Sequence, residues 1–232
     1  MANAEKYTSK NKEFVNRLLA WFSKNGRHDL PWRQTRDPWH TLIAATLLRK
    51  TTTDQAAKMY VKFIEKFATP ELLASADPAD VKDMLRPLGM EHTRAQKLTE
   101  LAREIIKRYD GIIPSTLEEL KGLPLVGNYT ASEVLCVAFG KDEPMVDRNM
   151  IRIMQRVFSF TSKKKRPHTD QLTWQFARTL IPPGSGREFN YGIMDFAHYV
   201  CKARDPLCQI CLINDICDYG IKRLRGSGSV EG

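Results

Sequence analysis

The sequence has 232 residues, 42% of them hydrophobic and 27% charged, which is enough for one large or two small domains with a buried core. Its 36 lysines and arginines outnumber 27 acidic residues, and the net charge of +9 favours a polyanionic partner. A need for solubility alone is the alternative explanation of this charge. No apolar run approaches the roughly 20 residues that span a bilayer, and the polar N-terminus lacks a signal-peptide core, so we expect a cytoplasmic protein in reducing surroundings.

The chain reads as all-α. Apolar residues recur at helical spacing, and no segment alternates clearly with period two over the length of a strand. Prolines and Asp-Pro pairs give several predicted helix starts. In chain order, the pattern predicts a helix over 12–25, a Pro- and Trp-rich loop over 30–40, helices within 40–67 with a polar break at 49–53, two short helices within 70–88, and a long amphipathic helix over 91–109.

A helix–turn–helix segment follows, over about residues 118–139. A capping box at 115–119 begins the first helix, which ends at Leu120; the turn LPLVG leads into a second helix over 128–139. The backbone N–H groups of such a turn and of the next helix start can bind an anion. An ordinary αα-hairpin is the alternative.

Asp147 comes next, in PMVDRN. A lone carboxylate before a helix is most often an N-cap, and that interpretation stays open. Asn149, two residues later, is expected to cap the helix and to support Asp147 or a backbone phosphate.

The last motif is a cysteine cluster with the spacing C-x6-C-x2-C-x5-C. Clustered thiols in a reducing compartment usually bind metal, and a single short loop suits a [4Fe–4S] cluster better than zinc, which the spacing leaves open. Lys202 and Arg204 add cations beside it, while Cys136 reads as a small buried hydrophobe. The four clustered cysteines are Cys201, Cys208, Cys211 and Cys217.

Taken in order, these motifs resemble the helix-hairpin-helix superfamily of DNA glycosylases, in the iron–sulfur branch that holds endonuclease III and the adenine glycosylases. The likeness covers about residues 12–220. The cysteine spacing matches without a gap, and the family pattern L-P-G-V-G-x-x-T-A … V-D-x-N matches residues 123–131 and 146–149. One departure is Leu125, where the family has glycine; if that position needs a positive φ, leucine is strained there.

The resemblance implies two helical domains that flank a cleft, with Asp147 at their junction. A six-helix domain would span 30–138, residues 1–29 and 139–220 would form the cluster domain, and 221–232 would be a flexible tail. It also implies a [4Fe–4S] cluster on the four cysteines.

Within this branch, the chain is most similar to archaeal thymine/uracil mismatch glycosylases. Members that cleave the strand carry a lysine where this chain has Tyr129, so the resemblance implies a monofunctional enzyme that leaves an abasic site. Adenine glycosylases place a catalytic glutamate at the position of Ala45, which cannot donate a proton, so this departure argues against adenine removal. The mismatch enzymes also have a carboxylate there, so the role of Ala45 in substrate choice is open. Asp147 would stabilise the charge on the sugar, and Tyr129 would border the flipped base.

The implied partner is double-stranded DNA with a mismatched or damaged base, bound by a monomer. Two alternatives remain: a glycosylase for another lesion, such as adenine opposite guanine or 8-oxoguanine, hypoxanthine or an oxidised pyrimidine, and a non-catalytic DNA-binding protein. The implied DNA-binding residues are Arg49, Lys50, Thr51, Met90, Leu125, Gly127, Asn149, Lys202 and Arg204.

Overall fold

The computed structural model describes residues 2–226, with side chains from 9 to 225, and every regular element within them is a helix. The predicted all-α fold is therefore confirmed. None of the described helices is both long and apolar enough to cross a membrane. The α-helices are α1 (Ala2–Asn25), α2 (Pro38–Leu47), α3 (Thr53–Lys66), α4 (Pro70–Ala74), α5 (Pro78–Leu85), α6 (Glu91–Tyr109), α7 (Leu117–Lys121), α8 (Asn128–Val137), α9 (Arg148–Phe158), α10 (Gln171–Leu180), α11 (Gly186–Tyr199) and α12 (Asp218–Gly226).

Helix starts follow the predicted signals. Both α4 and α5 begin with a proline behind a capping Thr or Asp, as expected. The polar break before α3 contains a capping box between Thr52 and Gln55. At α7 the hydroxyl of Thr116 accepts from the Glu119 N–H at 3.3 Å, but the Glu119 carboxylate bonds that hydroxyl rather than the cap's backbone N–H. The predicted cap is thus confirmed at Thr116, without the reciprocal half of the box.

Contacts divide the chain into two compact units, residues 28–141 and residues 1–27 with 142–232. We call them the continuous unit and the two-segment unit. In the continuous unit, α2 packs against α3 and α8, while α4 and α5 pack against α6. Fully buried side chains from these helices, among them Leu42, Phe63 and Leu101, form one apolar core. Each such burial stabilises the fold by about 1.5–3 kcal/mol, so the core fixes the loops that these helices carry.

The two-segment unit has its own core, built from both parts of the chain. Helix α1 packs along α11, and α9 packs against α11 and α12. The Phe14 ring of α1 lies edge-on to Phe158 at 5.3 Å and to Phe189 at 6.5 Å. Arg17 continues this association through ion pairing with Asp215 at 2.6 Å. The N-terminal helix is therefore an integral part of the unit that holds the cysteine loop.

The predicted boundary of the flexible tail at residue 221 is wrong, because α12 continues to Gly226. Its first residue, Asp218, accepts from Lys10 Nζ at 2.7 Å and from Ser159 Oγ at 2.8 Å. The Ile221 N–H bonds the carbonyl of Cys217 at 2.9 Å. These contacts anchor the helix start. The rest of the predicted tail, 227–232, lies outside the described residues.

Candidate functional site

Asp147 stands directly before α9 and is its N-cap. Its Oδ1 accepts hydrogen bonds from the backbone N–H groups of Asn149 at 2.8 Å and Met150 at 2.9 Å. Its Oδ2 accepts one from the Asn149 side-chain amide at 2.7 Å. The N-cap interpretation is thus confirmed, and the same bonds give the carboxylate one fixed orientation.

The electrostatics of Asp147 differ from those of an ordinary cap. Burial raises the pKa of this carboxyl above its usual 3.8, although two backbone N–H groups and two neighbouring arginines act in the opposite direction. Asp170, which caps α10 in the same unit, behaves in the usual way: hydrogen bonds, led by that from Ser162, lower its pKa. Asp147 is half-buried, so its carboxylate is partly desolvated but still open on one side, and such a group interacts strongly with positive charge that develops beside it.

A hydrogen-bonded chain links Asp147 to the cysteine loop. Asn149 Oδ1 accepts from Arg152 Nη2 at 3.1 Å. Arg152 also donates to the carbonyl of Ala197 at 3.0 Å and, through Nε, to that of Cys201 at 3.0 Å. Asn149 lies inside α9, so the expectation that it caps this helix is wrong: Asp147 holds that position, and Asn149 orients Asp147.

The predicted hairpin is formed by α7, the turn and α8. The Val126 N–H closes the turn on the carbonyl of Leu123 at 3.2 Å. Leu125 has a φ of +65°, so the position does require the left-handed conformation, which costs a non-glycine residue about 1–2 kcal/mol. Its side chain packs partly against the core, and its carbonyl accepts from Arg49 Nη1 at 3.0 Å. Packing and this hydrogen bond hold the leucine in a glycine-like conformation.

The start of α8 is suited to an anion. Gly127 precedes the helix, is exposed, and provides no side-chain cap for the first-turn N–H groups. A methyl group added at Gly127 would meet no atom within 4 Å, so the space beside it is open to a ligand. Tyr129 is half-buried in the same first turn, and Lys121 is exposed at the end of α7. The hairpin geometry thus fits the predicted phosphate contact.

Three loops of the continuous unit, together with the adjoining turns of α2 and α6, line one open pocket of about 260 Å³. Four of the predicted DNA-binding residues, from positions far apart in the chain, meet there, and no acidic residue joins them in the lining. Met90 is 55% exposed at the rim. Thr51 adjoins the pocket through its hydrogen bond to the Arg49 carbonyl at 3.1 Å. The four residues that the structure brings together are Arg49, Lys50, Met90 and Leu125.

Arg94, in the first turns of α6, also lines this pocket and was not among the predicted residues. A sequence signal for it exists, because it continues the apolar stripe of that helix at helical spacing with Leu98, Leu101 and Ile105. A cation in such a stripe indicates a residue that faces inward for a reason other than apolar packing.

The four clustered cysteines line one pocket with apolar walls, and all of them are free thiols. Among the described residues, no group of three or more His, Cys, Asp or Glu is arranged to hold a single metal ion. A tetrahedral zinc ion needs all four sulfurs at about 2.3 Å, whereas a [4Fe–4S] cube takes one cysteine on each iron and so holds the sulfurs farther apart. The pocket lined by all four cysteines can therefore take a cluster that is bound through one cysteine on each iron.

The cysteine pocket combines thiols that are costly to ionise with an arginine, Arg156, in its lining. Burial raises the pKa of Cys211 to about 11 and also raises that of Cys217, so iron must offset this cost for the thiolates to form. Arg156 lies 3.5 Å from Cys201 Sγ and donates to the carbonyl of Lys202 at 2.6 Å. It thereby fixes the loop on which Lys202 is exposed to solvent. Arg204, in the same loop, is exposed as well, and Cys136 is buried in α8 as predicted.

Comparison with known proteins agrees with these features. The model of the HhH-GPD superfamily of base excision DNA repair proteins matches residues 43–179, more than half of the chain. The iron–sulfur binding domain of endonuclease III matches residues 201–217, which confirms the predicted [4Fe–4S] cofactor.

Individual relatives cover almost all of the chain. It is 52% identical over 205 residues to the thymine-DNA glycosylase of Aeropyrum pernix, with 88% of this chain and 92% of that protein covered. It is 48% identical over 216 residues to the thymine/uracil-DNA glycosylase of Pyrobaculum aerophilum, with 92% and 94% covered. The solved structure of a thermostable thymine-DNA glycosylase superposes with a TM-score of 0.87 at 37% identity, covering 92% of this chain and 98% of that one. The resemblance found in the motifs is thereby confirmed.

Proposed function

Since this chain belongs to the HhH-GPD superfamily of base excision DNA repair proteins, we propose that it is a monofunctional DNA glycosylase that hydrolyses the glycosidic bond of thymine or uracil opposite guanine and leaves an abasic site. The observation that carries the proposal is Asp147, a half-buried carboxylate held in one orientation, in a chain that has Tyr129 where strand-cleaving relatives have lysine.

The target nucleotide is flipped out of the duplex, because a stacked base does not expose its glycosidic bond to a side chain. A wobble pair loses less on extrusion than a Watson–Crick pair, so mismatches are selected at this step. As the base leaves, positive charge develops on the deoxyribose, and the Asp147 carboxylate stabilises it and orients the attacking water. Tyr129 borders the flipped base and supplies no amine, so no Schiff base forms and the strand stays intact.

Double-stranded DNA is the partner, and the protein acts on it as a monomer. The net charge of +9, the cationic pocket at Arg49 and Lys50, and the exposed Lys202 and Arg204 all favour a polyanion. The first-turn N–H groups beside Gly127 add a phosphate contact that requires no side chain. We place the protein on the nucleoid of a prokaryotic cytoplasm, where this substrate is found.

The cysteines Cys201, Cys208, Cys211 and Cys217 hold the [4Fe–4S] cluster. Because a hydrolysis moves no electrons, the contribution of a cluster bound by these cysteines would be structural: it would hold the loop that presents Lys202 and Arg204 to DNA. Through the Cys201 carbonyl and Arg152, the same loop supports the orientation of Asp147.

The direct test is a panel of otherwise identical duplexes that contain T:G, U:G, adenine opposite guanine or 8-oxoguanine, hypoxanthine, or an oxidised pyrimidine. Abasic sites are scored by alkaline cleavage, and untreated samples report strand cleavage by the enzyme itself. We expect abasic sites at T:G and U:G and intact strands without alkali. Preferred excision from another duplex, cleavage without alkali, or no abasic sites in the entire panel would each contradict the proposal.

A further inference from the structure

The pocket of the continuous unit is built from unusually strained backbone. Of the pocket-lining residues, Lys50 and Met90 each have a φ of 56° and Leu125 has 65°. Each non-glycine residue in this conformation costs about 1–2 kcal/mol, and such strain persists only where surrounding contacts enforce it. The three residues lie in three separate loops, so a single local turn does not explain their common conformation.

Arg94 is the contact that joins these loops. Its Nη2 donates to the Arg49 carbonyl at 2.6 Å and to Thr51 Oγ1 at 3.1 Å. Its Nε donates to the Gly89 carbonyl at 3.0 Å, next to Met90, and its Nη1 lies 3.4 Å from the Thr46 carbonyl. Arg49 in turn donates to the carbonyl of the third loop, at Leu125. One guanidinium therefore reaches two strained loops directly and the third through Arg49.

Among the side chains that the structure describes, no acid neutralises the charge of Arg94. Its hydrogen bonds go to carbonyl and hydroxyl oxygens, and no carboxylate among the described residues pairs with it. Burial, and then the charge of Arg49, lower its pKa, which shows that the partly buried position is unfavourable for a cation. A cation that only attracts DNA would not need to be partly buried. A guanidinium that donates to several backbone carbonyls at once does need to lie among them.

We infer that Arg94 is a positioning residue that holds the three loops in their DNA-binding conformation before DNA arrives. The inference rests on the proposed function and adds to it a residue that none of the motifs includes. Lysine offers a single charged centre and does not reproduce donors in three directions from one plane, so the geometry of Arg94 is required as well as its charge.

The test compares Arg94→Lys and Arg94→Gln with the matched pair Arg103→Lys and Arg103→Gln in the cluster-loaded protein. Arg103 is exposed on α6 and, nine residues later, lies on the opposite face of that helix. We expect both Arg94 variants to excise thymine from a T:G duplex about 10- to 100-fold more slowly in single turnover, because displaced loops misplace the DNA. We expect the Arg103 variants to match the wild type.

Hydrogen exchange without DNA separates positioning from direct phosphate contact. We expect faster amide exchange at 49–51 and 89–91 in both Arg94 variants, with unchanged exchange in the core of the continuous unit. Excision restored by Arg94→Lys would overturn the inference, since charge alone would then suffice. Unchanged exchange would overturn it too. In that case, if the slope of log binding affinity against log salt concentration is smaller by about 1 in Arg94→Gln than in the wild type, Arg94 contacts a phosphate. If Arg94→Gln does not fold, Arg94→Lys decides. If the wild type excises no base, the proposed function is refuted. The hydrogen exchange of the Arg94 variants, measured without DNA, still tests whether Arg94 holds the loops.

Discussion

Replacing Asp147 by asparagine removes one charge with little change in shape. Asparagine caps helices about as well as aspartate, so its oxygen can still accept from the two N–H groups at the start of α9. The new amide nitrogen, however, would lie where Oδ2 now accepts from Asn149 Nδ2 at 2.7 Å. Asn149 does not rotate freely, because its own oxygen accepts from Arg152. One lost hydrogen bond costs about 1–2 kcal/mol, partly offset because a desolvated charge is also removed.

The effect on catalysis is expected to be much larger than the effect on stability. Loss of a positioned group that stabilises transition-state charge typically costs about 3–4 kcal/mol, or about 10²- to 10³-fold in rate. Because the carboxylate acts on charge that exists only as the bond breaks, DNA affinity should stay within about threefold of the wild type.

The assay is single-turnover excision from a T:G duplex, together with DNA affinity and thermal melting. Asp170→Asn is the matched control, since it makes the same substitution at an N-cap of the same unit whose pKa is lowered rather than raised. Its excision rate should equal that of the wild type. The assignment fails if Asp147→Asn excises within about tenfold of the wild type, or if Asp170→Asn loses as much activity.

Four further predictions follow from the site. Excision needs ionised Asp147, so the excision rate should decrease as the pH is lowered, with a midpoint above pH 3.8. A midpoint at or below pH 3.8 would contradict the raised pKa of this carboxyl. Because the folded state raises this pKa, ionisation of Asp147 opposes folding. In chemical denaturation, the free energy of unfolding of the wild type should therefore fall relative to that of Asp147→Asn as the pH rises through the pKa of Asp147. A stability difference that does not change with pH would refute this. Tyr129→Lys should give a covalent complex with substrate DNA on borohydride treatment, and failure to trap one would place this position away from the sugar. Leu125→Val should melt below Leu125→Gly, because a β-branched residue tolerates the φ of +65° worst; the reverse order would show that packing outweighs strain.

The short motifs were predictable because their chemistry depends on residues close in sequence. The cysteine spacing and the hairpin are local patterns, and the capping Thr and Asp residues before α4 and α5 act within one helical turn. The departure from glycine at Leu125 is visible in the turn LPLVG itself, although only the structure shows the φ of +65° that makes it costly.

Features that depend on packing were not predictable in the same way. The role of Arg94 arises only when loops near residues 49 and 89 fold onto the start of α6. The raised pKa of Asp147 comes from burial, whereas its local sequence alone predicts an ordinary cap. The continuation of α12 to Gly226 depends on contacts of Asp218 with Lys10, which lies at the other end of the chain.

That last contact has a consequence for synthesis on the ribosome. Lys10 and Asp218 are separated by 208 positions, and Arg17 and Asp215 by 198, so α1 must wait for nearly the entire chain to be translated before it finds its partners. The continuous unit, made from residues 28–141 alone, can assemble while translation is still under way. Iron loading therefore requires translation past Cys217, and a nascent chain released before that residue should carry a folded middle and no complete cluster site.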